Sequence, residues 1–144
     1  NKAPYFVFDT DDVARDAYLL GVLNSGVVDW FGHLRVNLNL NFFILYSLPV
    51  PSYDRDRPID RRISTLAAGL AQDSRFTYGQ WTTLSAPISG TDARSAAKAE
   101  LDALVARKFE IPADLLPLVF DGENPTRSNI SAVRSYLDEW EDAP

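Results

Sequence analysis

The sequence predicts an α+β domain, mostly helical with a small sheet, and three observations predict it. Apolar residues recur at three- and four-residue spacing in successive stretches, the period of amphipathic helices. Near residues 5–8 and 42–48 that period gives way to short continuous apolar runs of strand length. Turn and breaker residues separate the stretches: Asn24-Ser25-Gly26, Pro49 with Pro51, and Gly122 to Pro125. The chain has 144 residues, 46% of them hydrophobic and 24% charged. That is enough apolar material for one core.

Taken in order, Tyr5 to Phe8 reads as a short buried strand. Asp9, Thr10, Asp11 and Asp12 supply a cap and first-turn acids for a helix that places Val13, Ala14, Ala17, Tyr18 and Gly21 on one face. Asn24-Ser25-Gly26 ends it, with Ser25 placed to cap a second, shorter helix carrying Val27, Val28, Trp30 and Phe31 and closed by Gly32. From Val36 the period becomes two, and Phe42 to Leu48 reads as a buried strand. Pro49 and Pro51 lack the N–H a sheet ladder needs, so the strand must end there. Pro58 suits the first position of a third helix with Ile59, Ile63, Leu66 and Leu70 in one stripe. Ile63 and Leu66 are expected in the core, facing the strand that ends at Pro49. Gln72 to Gly90 is polar and reads as a loop. Asp92 starts a helix lined by Ala97, Leu101, Leu104, Val105 and Phe109. Pro112 opens a short one with Leu115, Leu116, Val119 and Phe120. Ser128 is read as the cap of a last helix with Ile130, Val133, Leu137 and Trp140 on one face.

The formal charge of −6 argues against a free-standing nucleic-acid binder, because phosphate contacts need a basic face. There is no Cys, hence no disulfide framework or thiolate metal site, which fits a cytoplasmic setting. No apolar run is long enough to cross a bilayer. The chain opens Asn1-Lys2-Ala3-Pro4 and contains no Met, so a processed or excised piece is expected. His33 is the only His, which leaves no His-based metal site. Neither a phosphate-binding Gly-rich loop nor a nucleophile elbow occurs. Carboxylates sit at helix starts, in loops and in the tail, where capping and solvation account for them. No catalytic constellation is expected.

Four segments, in order, carry a resemblance. "AYLLGVLNSGVVDWF" (17–31) resembles the helix, Leu-Asn-Ser, helix passage in target-recognition domains of DNA modification enzymes. "FFILYSLPVP" (42–51) looks like the strand ending in Leu-Pro-x-Pro that follows it there, and "IDRRISTLAAGLA" (59–71) resembles the next helix. "AELDALVARKFEIPADLLPLVF" (99–120) is similar to a motif near the carboxyl end of large adenine-specific DNA methyltransferases, the fused type IIG restriction–modification enzymes and their phage-defence relatives. The resemblance implies that residues 1–72 form the C-terminal half of a target-recognition-like domain. It makes 73–91 a linking loop and 92–144 a C-terminal helical region packed on that half. Members of the family bind S-adenosylmethionine in an upstream catalytic domain and methylate a flipped adenine through an Asn-Pro-Pro-aromatic motif. Asn124-Pro125 continues to Thr126 and does not match it. No cofactor is therefore expected in this piece, and S-adenosylmethionine belongs to the implied parent. Double-stranded DNA and the upstream catalytic domain are the implied partners. A protein-docking module that contacts that domain or a partner subunit through exposed stripes such as Ile130 to Trp140 is the alternative, and an independent enzyme is the least supported.

Residues 33–41 frame the choice of site. Asn37, Asn39 and Asn41 alternate with Leu38 and Leu40, His33 and Arg35 precede them, and no carboxylate lies between Asp29 and Asp54. One reading makes this a DNA-facing patch, with amides for adenine edges and cations for phosphate. The other makes it an irregular approach to the buried strand, the amides satisfying loop backbone.

Overall fold

The computed structural model describes residues 11–34, 46–72, 79–120 and 127–141. Among these every regular element is a helix: α1 (Val13–Leu23), α2 (Gly26–His33), α3 (Pro58–Ala71), a 3₁₀ turn (Trp81–Thr83), α4 (Thr91–Lys108), α5 (Leu116–Phe120) and α6 (Ile130–Glu141). The expected α+β class is therefore corrected: no strand and no sheet occur among the described residues. The strand near 5–8 and positions 42–45 lie outside them. Tyr46, Ser47 and Leu48, the described end of the second expected strand, are helical, turn and bend instead. Leu48 packs on the core while Tyr46 is 78% exposed. A short apolar run does not by itself distinguish strand from helix, and among the described residues helices build the core without a ladder.

Local chemistry explains the helix boundaries. Asp12 caps α1, its Oδ1 accepting from Arg15 N at 3.2 Å. Asn24 folds back on that helix through N and Nδ2, both donating to Leu20 O. Ser25 is fully buried at the joint: Oγ donates to Val22 O at 2.7 Å and accepts from Val28 N at 3.3 Å, closing α1 and opening α2 with one hydroxyl. Gly32 does not end α2, which runs on through His33. Pro58 occupies the first turn of α3 as expected. Helix α4 ends in a Schellman arrangement, with Ile111 N bonded to Ala106 O and Glu110 N to Arg107 O, each at 3.0 Å. Glu110 there lies in the left-handed region, at φ 52°. Pro112 does not open α5. Leu115 N bonds Pro112 O at 2.9 Å in a separate turn, and the helix starts at Leu116. The cap of α6 is Asn129, whose Oδ1 accepts from Ser131 N at 2.8 Å, and not Ser128; both are cap-competent residue types.

Helix α4 is the centre of the fold. It packs against α3 on one side and α6 on another, with α2 also touching it; α1 lies along α3, and α5 bridges α2 and α6. Ile63 and Leu66 are buried, but they face α1 and α4 rather than a strand. Gly21 makes that possible. A Cβ there would lie 3.0 Å from Ala67 Cβ, 3.1 Å from Ile63 Cγ2 and 3.3 Å from Leu101 Cδ1, so its absence lets three helices meet. One apolar cluster runs from Tyr18 through Leu104 to Val133. The α6 stripe expected to stand exposed for docking faces inward instead, with Val133 buried and Ile130 and Leu137 packed on the core; the side chain of Trp140 lies outside the described residues.

Candidate functional site

Of the expected DNA-facing patch, His33 alone is described; Arg35, Asn37, Asn39 and Asn41 lie outside the described residues. His33 ends α2 with 63% of its side chain exposed, and its Nδ1 sits 2.8 Å from Asp29 O and 3.4 Å from Asp29 Oδ1. The ring thus leans back on its own helix terminus, where the carbonyl dipoles favour a proton donor. Asp29 also accepts from Arg127 Nε at 2.9 Å, tying α2 to the entry of α6.

Two buried carboxylates organise the polar interior, and neither is the capping or solvated acid that the sequence suggests. Asp102, in the middle of α4, is fully buried. It accepts Gly26 N at 2.8 Å, Ser128 Oγ at 2.6 Å, and Lys98 Nζ at 2.7 Å on both oxygens. One side chain therefore holds the first turn of α2 and the approach to α6 against α4. Gly26 leaves the room: a Cβ would lie 2.8 Å from Phe120 Cε1 and 3.3 Å from Asp102 Oδ2. Asp60, in the first turn of α3, is also fully buried. It accepts Asp54 N at 2.8 Å and pairs with Lys108 Nζ at 2.8 Å. Lys108 donates further to Ser52 O at 3.1 Å and stands 5.6 Å from the Tyr18 ring centroid, within reach of a cation–π attraction. Tyr18 donates to Pro51 O at 3.1 Å and packs on Tyr53 with ring centroids 5.3 Å apart. Burial, then the Asp60 charge, push the Tyr18 phenol well above its ordinary range. Residues 51–54 are in this way fastened to α1, α3 and α4.

The other notable feature is a groove of about 710 Å³ over the N-terminal half of α4. Its walls are the C-terminal turns of α1 and α3 and the start of α6. Gly21, Ala67, Ala99 and Ala132 leave its floor low, and Leu20 and Leu70 make its sides apolar. Three cations line it: Arg94, Lys98 and Arg127. Arg94 spans the end of α3, donating from Nη2 to Leu70 O at 2.8 Å and from Nη1 to Gln72 O at 3.2 Å and Ile88 O at 2.9 Å. Carbonyls at a helix C-terminus lack intrahelical donors, and a guanidinium there supplies them. None of these cations stands out in the sequence. Lys98 and Asp102 are at i and i+4 inside the run Ala97, Ala99, Leu101, Ala103, Leu104; an acid and a base within an otherwise apolar face was the available signal.

Among the described residues no group of three or more His, Cys, Asp or Glu is placed to hold a metal ion, and no helix is long and apolar enough to cross a membrane. No family model matches the chain, and no match is found among curated proteins or solved structures.

Proposed function

We propose that this chain is a non-catalytic target-recognition and packing region of an adenine-specific DNA methyltransferase from a restriction–modification or phage-defence system, acting in the cytoplasm. The observation that carries this is the ordered resemblance of 17–31, 42–51, 59–71 and 99–120 to that family. Its support from the fold is that three of these segments belong to one packed unit. Residues 17–31 span α1 and α2 with the buried Ser25 joint, 59–71 lie in α3, and 99–120 run from the middle of α4 through α5. In this reading S-adenosylmethionine binds the parent's upstream domain, and the parent contacts double-stranded DNA through His33, Arg35, Asn37, Asn39 and Asn41. His33 and Leu34, which precede residues 35–45, and Tyr46, which follows them, are exposed.

The test uses the full-length parent. Arg35→Ala should weaken binding to every duplex and lower the salt dependence, whereas Asn37→Ala, Asn39→Ala or Asn41→Ala should relax discrimination at one base pair by about 1–3 kcal/mol. Unchanged affinity and target choice in all four would remove the patch. A second reading, docking to the catalytic domain, is favoured by Leu115 and Leu118 beside and on α5, 45% and 61% exposed. Neighbouring exposed apolar side chains of this kind mark contact surfaces. Leu118→Asp would then dissociate the module from that domain without altering target choice.

A further inference from the structure

We propose that the groove over α4 binds a small amphipathic anion, a molecule with a flat apolar body and one phosphate or carboxylate head. No described residue of the groove belongs to the 33–41 segment, so the groove is a site apart from the DNA-facing patch. A volume of about 710 Å³ is that of a small-molecule site, too small for a docked helix of several turns. The short floor residues Gly21, Ala67 and Ala99 leave the space unfilled, and Leu20 and Leu70 give an apolar body something to lie against.

The head is specified by charge. In a chain of formal charge −6, the described residues of the groove lining include Arg94, Lys98 and Arg127 and no carboxylate. Arg94 and Lys98 are one turn apart on α4 and share a face. Lys98 and Ser128 converge on the same Asp102 carboxylate, and Arg127 immediately precedes Ser128 in the chain. Asp102 offsets Lys98 from below and Asp29 offsets Arg127. Arg94 spends its contacts on main-chain carbonyls, and no described carboxylate pairs with it. Among the described residues, three cations against two carboxylates leave the wall net positive. A guanidinium carries five N–H donors and an ammonium three, so each cation retains donors beyond the contacts above. An anionic head with several acceptor oxygens matches that set.

The experiment titrates the 144-residue chain with phenyl phosphate and benzoate, and separately with inorganic phosphate and benzyl alcohol, followed by amide chemical shifts. At least one of phenyl phosphate and benzoate should bind saturably, ten-fold or more tighter than inorganic phosphate or benzyl alcohol, with shifts centred on Leu20, Ala71, Ser95 and Ala132; the better of the two identifies the head. Ser95 and Ala71 are exposed on the groove lip. Ser95→Glu and Ala71→Glu put a carboxylate there, and whichever keeps the wild-type Tm should weaken binding at least ten-fold. Binding by neither anion, equal binding by benzyl alcohol, shifts mapping elsewhere, or an unaffected lip variant would overturn the proposal.

Discussion

Asp102 and Asp60 are both fully buried and both face a lysine of α4, yet they do different structural work. Asp60 gathers fewer parts of the chain: it receives Asp54 N, six residues back, and Lys108, 48 residues downstream, whose side chain is only 6% exposed. It fastens one loop to the start of α3 and the end of α4. Asp102 serves the whole fold. Its partners are 76 residues upstream at Gly26 and 26 downstream at Ser128, and the Lys98 beside it is 26% exposed at the groove. The contrast shows that an ion pair's weight depends on what its carboxylate holds. A buried charge whose partners reach it from three parts of the chain is a condition for their assembly, while one that gathers a loop is a condition for that loop's order.

The largest effect should come from breaking the wider junction. Asp102→Ala leaves Lys98, Gly26 N and Ser128 Oγ without their acceptor, and removing one member of a buried pair costs about 3–5 kcal/mol. Asp60→Ala should fall at the lower end of that range and mainly expose residues 51–57 to hydrogen exchange. Urea denaturation ranks the two, and a larger loss for Asp60→Ala would reverse the comparison.

Gly26→Ala comes next, with an expected loss of about 1–3 kcal/mol by overpacking against Phe120. The same change at Gly32, where an added Cβ meets nothing within 4 Å, should be neutral or slightly stabilising. Equal effects at the two glycines would show that the Asp102 junction tolerates a shift of α2.

On the Asp60 side, Tyr18→Phe removes the bond to Pro51 O, for about 1 kcal/mol below pH 10. The pH dependence has a definite sign. The folded phenol is held neutral above its ordinary pKa of 10.0, so its contribution is complete below that value. It is lost as pH rises from there toward the folded pKa, because the unfolded phenol ionises first. Wild-type stability should therefore fall more steeply above pH 10 than that of Tyr18→Phe, as measured by urea midpoints between pH 8 and about 11. Parallel curves would place the phenol in contact with solvent.

The smallest effect lies outside both junctions. Glu110 adopts φ 52° at the end of α4. That conformation is unfavourable for a residue with a Cβ. Glu110→Gly should stabilise by a few tenths to about 1 kcal/mol, the relief of strain exceeding the added freedom of the unfolded chain. Thermal melts of the two chains check it, and a lowered Tm would show that the Glu110 side chain contributes more than its backbone costs.

The helices were legible because their determinants act within four residues. Pro58 with Ile59, Ile63, Leu66 and Leu70, Ser25 between two apolar stretches, and the α4 stripe through Leu101 and Leu104 each carry period, cap and stop in the chain itself. Two local signals misled for equally local reasons. Phe42 to Leu48 has the composition of a buried strand, and Ser128 and Asn129 are both competent caps. Only the fold decided that Tyr46 to Leu48 need not be extended and that Ser128 turns inward to Asp102 while Asn129 caps α6. Of the expected contact residues, His33 is the last residue of α2 rather than a position beyond a helix closed at Gly32, Arg35 and the three asparagines lie outside the described residues, and nothing in the sequence marks Arg94, Lys98 and Arg127 as one groove. The physical reason is the same for the groove and for both buried aspartates. Whether a charge is solvated or buried depends on what packs over it, and for Asp102 that cover comes from residues 76 positions away in the chain. Hydrophobic period reports which face of a helix turns inward. It does not report which partner arrives there, and the cost or benefit of a buried charge is set by that partner.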